Sequence, residues 1–144
     1  MVISQIGIIG AGQMGNGIAH VMALADYDVT ITDISQEHLV SATRKIAQNL
    51  DRQIIAKKIS KFQKEKALEK IKTTVDLGKI AKTDLIIEAV NEDEELKRKI
   101  FYSLMPHLDQ HTILASNTSS ISITRLASCT DRPEKFLGFH FMNP

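Results

Sequence analysis

Short apolar runs rich in β-branched residues recur at residues 5–9, 28–32, 71–75, 85–89, 113–116 and 135–141, and several of the intervals between them carry apolar residues three or four apart. Strand periods alternating with helical periods predict an α/β chain. The runs Ile6-Gly7-Ile8-Ile9 and Leu85-Ile86-Ile87 are nearly continuous, as strands of a parallel sheet covered on both faces should be. The expected architecture is therefore a doubly wound parallel sheet. Leu39, Ala42, Ile46, Leu50 and Ile54 mark one amphipathic helix, and Phe62, Ala67, Leu68 and Ile71 resume the pattern, so residues 37–72 read as a helical hairpin in place of one crossover helix. A further helix is expected over residues 94–104, with Leu96, Ile100 and Leu104 on one face and Pro106 just past its end. No internal repeat or low-complexity linker divides the chain, and residues 1–144 read as one domain.

Composition narrows the functional classes. With 43% hydrophobic and 24% charged residues, neither disorder nor a fibrous repeat is a sensible reading. Eighteen Lys and Arg against 17 Asp and Glu leave a formal charge of +1, which removes any global argument for a nucleic-acid or anionic-membrane partner. The lone Cys129 excludes an internal disulfide framework and a cysteine-based metal site, and fits a reducing, cytoplasmic setting. The apolar N-terminus lacks the basic residues of a signal peptide, and no run approaches the roughly 20 apolar residues of a bilayer span. The chain stops directly after a strand and the pair Asn143-Pro144, so the expectation is a fragment whose remaining domain lies beyond residue 144.

Chemistry enters with Gly10-Ala11-Gly12-Gln13-Met14-Gly15, a G-x-G-x-x-G that follows a strand directly and opens a helix carrying Ile18, Val21, Met22 and Ala25. Gly10 would permit the tight turn, Gly12 the approach of a pyrophosphate, and Gly15 close helix–strand packing, with helix N–H groups offered to phosphate. A ligand-free glycine turn is the plain alternative. It is outweighed by a second strand ending in Asp33, 18 residues after Gly15, where a carboxylate can accept from ribose hydroxyls. That carboxylate repels a 2′-phosphate, and Ile34, Ser35 and Gln36 offer no cation to attract one, so NAD is expected over NADP. Ser35 can cap the next helix and leave Asp33 free. The fold expected is a Rossmann-type domain of strand order 3-2-1-4-5-6.

Three more segments complete a pattern: Glu88-Ala89-Val90-Asn91-Glu92 leading to Lys97, Ala115-Ser116-Asn117-Thr118-Ser119-Ser120, and Gly138-Phe139-His140-Phe141-Met142-Asn143-Pro144. Together with the glycine loop they resemble the N-terminal NAD-binding domain of the 3-hydroxyacyl-CoA dehydrogenases, most of all the short bacterial 3-hydroxybutyryl-CoA type. The resemblance implies hydride exchange between NAD and C3 of a 3-hydroxyacyl-CoA. It implies His140 as the base, Ser119 at the substrate oxygen and the cofactor, and Glu92, Lys97 and Asn143 as cofactor-lining positions. A neutral imidazole suits the task, because the hydroxyl proton must leave as the hydride does. The resemblance also implies a carboxylate partner for the histidine beyond Pro144, and a C-terminal helical domain that supplies a homodimer interface. Asn91 departs from the pattern, standing where an apolar residue is usual.

From Arg44 to Lys72 ten basic residues face three acids, a net of +7, so the hairpin is a cationic arm suited to the phosphates of coenzyme A, with Lys57 the substrate-binding candidate. A solvated basic surface is the bland alternative, and no sequence-reading nucleic-acid motif accompanies the charge. Because the glycine motif begins at residue 10, a monofunctional enzyme is expected in place of a multifunctional fatty-acid oxidation protein. Two rivals remain: a non-catalytic NAD-binding relative, against which His140 and Ser119 argue, and a dehydrogenase of small 3-hydroxy acids.

Overall fold

A computed structural model describes residues 1–142. Six strands, β1 (Gln5–Ile9), β2 (Asp28–Thr32), β3 (Ile71–Thr74), β4 (Leu85–Glu88), β5 (Ile113–Ser116) and β6 (Phe136–Gly138), form one parallel sheet in the order β3-β2-β1-β4-β5-β6. The doubly wound expectation and its strand order are met. Five α-helices connect them: α1 (Gln13–Leu24), α2 (Gln36–Ile55), α3 (Lys61–Glu69), α4 (Glu94–Leu104) and α5 (Ile123–Ala127).

Side chains on successive strand positions enter two separate cores. Ile6, Ile8, Val29, Ile31 and Ile87 pack with Ile18, Ala19, Leu39, Ala42, Ile46 and Leu50 of α1 and α2, whereas Ile9, Ile86 and Leu114 pack with Phe101 and Leu104 of α4. Gly7 faces the second layer because a Cβ there would lie 2.8 Å from the Ile80 Cβ.

Several expectations need correction. The strand expected over 135–141 is only Phe136–Gly138, because Pro133–Lys135 forms a short 3-10 turn and the ladder fades past Phe139. There the Phe139 N–H still donates to the Ser116 carbonyl, but the Phe141 N–H donates to the Asn117 side chain instead. The helical hairpin is present over α2 and α3, yet Phe62 is 70% exposed, and α3 fully buries only Ala67. On α4 the buried row is Lys97, Phe101 and Leu104, with Leu96 37% exposed, so the helix is rotated from the orientation expected of its apolar residues.

The parallel register aligns the C-terminal ends of the central strands: Ile9 pairs with Thr32 and Glu88, and Glu88 with Ser116. Every loop leaving β1, β2, β4 and β5 therefore starts from one edge. Strand order reverses between β1 and β4, where open α/β sheets form their ligand crevice.

Candidate functional site

The glycine loop leaves β1 at that crevice. Gly10 has φ +107°, a conformation L side chains rarely adopt, and a Cβ there would meet the Ala89 carbonyl oxygen at 2.7 Å. At Gly15 a Cβ would lie 1.8 Å from the Gly10 carbonyl oxygen, so β1 and α1 pack at a distance only glycine allows. Gly12 is the opposite case: a Cβ there meets nothing within 4 Å. Gly12 is also the N-cap of α1 and provides no side-chain cap, leaving the helix N-terminus to whatever occupies that space. Open space in front of uncapped N–H groups fits a dinucleotide pyrophosphate, and Ala11, Gln13 and Met14 complete the loop.

Asp33 sits just beyond β2 with its side chain 13% exposed. It is not free, as the sequence suggested: its two oxygens accept from the Ala11 and Ser35 N–H groups, each at 2.9 Å, and His38 Nδ1 lies 3.3 Å away. Ser35 does cap α2, accepting from the His38 N–H. Asp33 thus ties the glycine loop to the β2–α2 turn while keeping lone pairs for a ribose.

At the ends of β4 and β5 a cleft of about 360 Å³ is lined by Met14, Ala89, Val90, Glu92, Asn117, Ser119, His140, Phe141 and Met142. Larger hollows lie along α4 (about 710 Å³) and between α1 and α2 (about 980 Å³), but only the smaller cleft gathers the strand ends and the candidate base. His140 is exposed there, its segment anchored by the 2.8 Å bond from the Phe141 N–H to Asn117 Oδ1. Glu92 accepts from Thr118 Oγ1 at 2.8 Å, from the Ser119 N–H at 2.9 Å and from Ser119 Oγ at 3.1 Å. Burial pulls the Glu92 pKa upward, but the Ser119 N–H, the Thr118 and Ser119 hydroxyls and the nearby Lys97 charge outweigh it and hold the carboxyl at about 2.

Lys97 does not line the cleft surface. Its side chain is 0% exposed, lies 2.5 Å from Glu88 Oε2, donates to the Val90 carbonyl at 3.3 Å and reaches the cleft only through Glu92 Oε1 at 3.6 Å. Glu88, also fully buried, accepts from the Ser116 hydroxyl and the Val90 N–H. Glu88, Ser116, Thr118 and Asn117 were not singled out in the sequence, yet their side chains hold the strand ends and loops that form the cleft. Glu88 carried a usable signal: an acid ending a strand buried on both faces needs a buried partner. Asn143 lies outside the described residues.

On the hairpin, the hollow between α1 and α2 is lined by Asn16, His20, Lys45, Asn49, Arg52 and Gln53, with His20 Nε2 2.7 Å from Gln53 Oε1. Lys57 is not among its lining residues; it is exposed just past α2 in a left-handed conformation, φ +57°.

Comparison with known proteins agrees with this geometry. The chain is 54% identical over 143 residues to a 3-hydroxybutyryl-CoA dehydrogenase of Bradyrhizobium diazoefficiens, covering 99% of this chain and 49% of that protein. It is 40% identical to one of Mycobacterium tuberculosis, covering 99% and 50%. The solved structure of the (S)-3-hydroxybutyryl-CoA dehydrogenase of Ralstonia eutropha superposes with a TM-score of 0.96 at 41% identity, over 99% of this chain and 50% of that one. The chain thus spans about half the length of these relatives. Residues 5–144 match the family described as 3-hydroxyacyl-CoA dehydrogenase, NAD binding domain, and the chain belongs to that family.

Proposed function

We propose that this chain is the NAD-binding half of an enzyme that oxidises a short-chain 3-hydroxyacyl-CoA, of the 3-hydroxybutyryl-CoA type, to the 3-ketoacyl-CoA and runs the reverse reduction. The observation that carries the reading is the cleft at the strand ends, where His140 and Ser119 share one wall system with Met14 of the glycine loop. Gly10 through Gly15 and Asp33 would hold the dinucleotide, and NAD supplies hydride acceptance when bound. His140 takes the proton of the substrate's 3-hydroxyl as the hydride leaves C3, and returns it during reduction. Ser119 orients that oxygen. Glu92 lines the cofactor side, Lys97 supports it from beneath, and Asn143 is a further proposed cofactor contact.

The α2–α3 hairpin is proposed to receive coenzyme A, through Lys57 at its turn and the groove bearing Lys45 and Arg52. A second, helical domain of the whole protein, carrying a homodimer interface and a carboxylate for His140, is proposed from the relatives' greater length. It would cover the apolar groove of about 300 Å³ formed by Ile3, Met22, Tyr27, Ile113, Leu137 and Phe139. A cytoplasmic setting is part of the same proposal; among the described residues no helix is long and apolar enough to cross a membrane.

Calorimetric titration with NADH and NADPH, followed by turnover assays of the chain joined to the relatives' second half, tests the reading. NADH should bind in preference to NADPH, and acetoacetyl-CoA should be reduced while free acetoacetate is not. Reduction of free acetoacetate would favour a small hydroxy-acid dehydrogenase, and NADH binding without any turnover a non-catalytic relative.

A further inference from the structure

A lysine with no exposed side-chain surface needs a reason to be where it is. Lys97 lies on the buried row of α4, where Phe101 and Leu104 follow it, and its ammonium is enclosed by Glu88 Oε2 at 2.5 Å, the Val90 carbonyl at 3.3 Å and Glu92 Oε1 at 3.6 Å. The fold alone does not call for charge at this point, since buried ion pairs can often be replaced by apolar residues of similar volume without loss of stability. What the pair touches is more informative. Glu88 fixes the Ser116 hydroxyl and the Val90 N–H, and Lys97 bridges from Glu88 to the carboxylate that faces the cleft.

Glu92 gathers the loop after β5. Thr118 Oγ1, the Ser119 N–H and Ser119 Oγ donate to it, and Ser120 Oγ donates at 3.3 Å. An ionised carboxylate only accepts, so these hydroxyl protons all point at Glu92. Ser119 has one proton, and in this arrangement it is committed.

We propose that Glu88 and Lys97 are positioning residues for the dehydrogenase reaction proposed above: their buried ion pair braces Glu92, and Glu92 in turn holds Ser119, through its N–H and its hydroxyl, at the wall of the cleft that carries His140. His140 is then the one group that gives and takes the proton of the substrate's 3-hydroxyl, and Ser119 shapes the wall against which that oxygen sits. Lys97 from α4, Glu88 from β4 and, in the same cleft, His140 are the titratable groups around Glu92. The low Glu92 pKa, about 2, accords with a carboxylate kept charged for this purpose.

The test compares the 144-residue chain with Lys97→Met and with the neutral pair Glu88→Gln/Lys97→Met, following the Glu92 side-chain carboxyl by ¹³C NMR titration and the Ser119 amide proton at neutral pH. Lys97→Met leaves Glu88 buried and unpaired, so its thermal stability should fall; the double variant should recover it, because both charges are gone. In the double variant the Glu92 midpoint should nevertheless stand above that of the parent, because the nearer charge lost is the Lys97 ammonium, and the Ser119 amide should shift. A double variant that regains stability and also keeps the parent's Glu92 midpoint and Ser119 amide position overturns the proposal, because the pair would then be structural only. A readout independent of those variants is the Lys97 ammonium resonance, which should move on Glu92→Gln; a resonance that stays in place overturns the proposal even where the buried variants fail to fold. NADH affinity is measured in parallel. Failure of the parent to bind NADH would remove the dehydrogenase reading while leaving the bracing network standing or falling on the NMR results.

Discussion

The two glycines of the dinucleotide loop that face different surroundings separate folding from binding. Gly15→Ala puts a Cβ against the Gly10 carbonyl oxygen at 1.8 Å and should cost about 3 kcal/mol, read by urea denaturation. Gly12→Ala meets nothing within 4 Å and should cost at most about 1 kcal/mol, the price of a poorer N-cap, while NADH affinity drops because the methyl occupies pyrophosphate space. Equal stability losses in the two variants would contradict the packing described for the loop, and unchanged NADH affinity in Gly12→Ala would contradict its approach to the pyrophosphate. Asp33 is a different case, since it bonds Ala11 and Ser35 in addition to its proposed ribose contact. Asp33→Asn, which keeps a carbonyl acceptor and removes the charge, should narrow the preference for NADH over NADPH; an unchanged ratio in calorimetry would remove the reason for assigning Asp33 to specificity. These residues were legible because glycine and acid spacing reports backbone needs directly. Lys97 was not legible in its true place: the resemblance gave it as a cofactor-lining position, and the face of α4 was drawn through Leu96, Ile100 and Leu104 because a lysine adds nothing to an apolar pattern, whereas the buried row is Lys97, Phe101 and Leu104.

At the scale of elements, the loop after β5 is held by one acid. Glu92 has a folded pKa of about 2 against an ordinary value of 4.5, so its contribution to stability is present above about pH 4.5 and is lost as the pH falls toward 2. The melting-temperature difference between the parent and Glu92→Gln should accordingly be largest at neutral pH and shrink through that acid window; a constant difference would show that the carboxylate charge does not anchor the loop. Helix α3 depends on its ends more than on its core. Helix α3 fully buries only Ala67, but a capping box joins Ser60 and Gln63, with bonds of 2.7 and 3.1 Å. Ser60→Ala should therefore cost about 1 kcal/mol and raise amide exchange in α3 selectively. Helices α2 and α3 could be read from their apolar spacing, whereas the exposed Phe62 broke the pattern, because α3 buries little beyond Ala67. The short α5 carried no periodic signal at all; five residues are less than two turns.

For the molecule as a whole, the parallel sheet was legible in six apolar runs and its strand order in the Rossmann-type glycine fingerprint, whereas the strand register, which brings the ends of β1, β2, β4 and β5 to one edge, was not predicted. The meeting of the β4–α4 loop with the segment bearing His140 was not deducible from periodicity, because it depends on hydrogen bonds between irregular segments, Asn117 to Phe141 and Glu92 to Ser119. The chain spans about half of its relatives' length, so NADH binding and turnover are expected to separate: the 144-residue chain binds NADH, and efficient catalysis appears with the second half present. The most direct measurement is NADH oxidation by acetoacetyl-CoA in the chain completed to that length, parent against His140→Gln. The parent should turn over, and the variant should lose a factor of about 10² to 10⁴ in kcat with NADH affinity essentially unchanged. Turnover by His140→Gln at the parent's rate would contradict the assignment of the base and, with it, the reading of the cleft as the place where hydride and proton are exchanged.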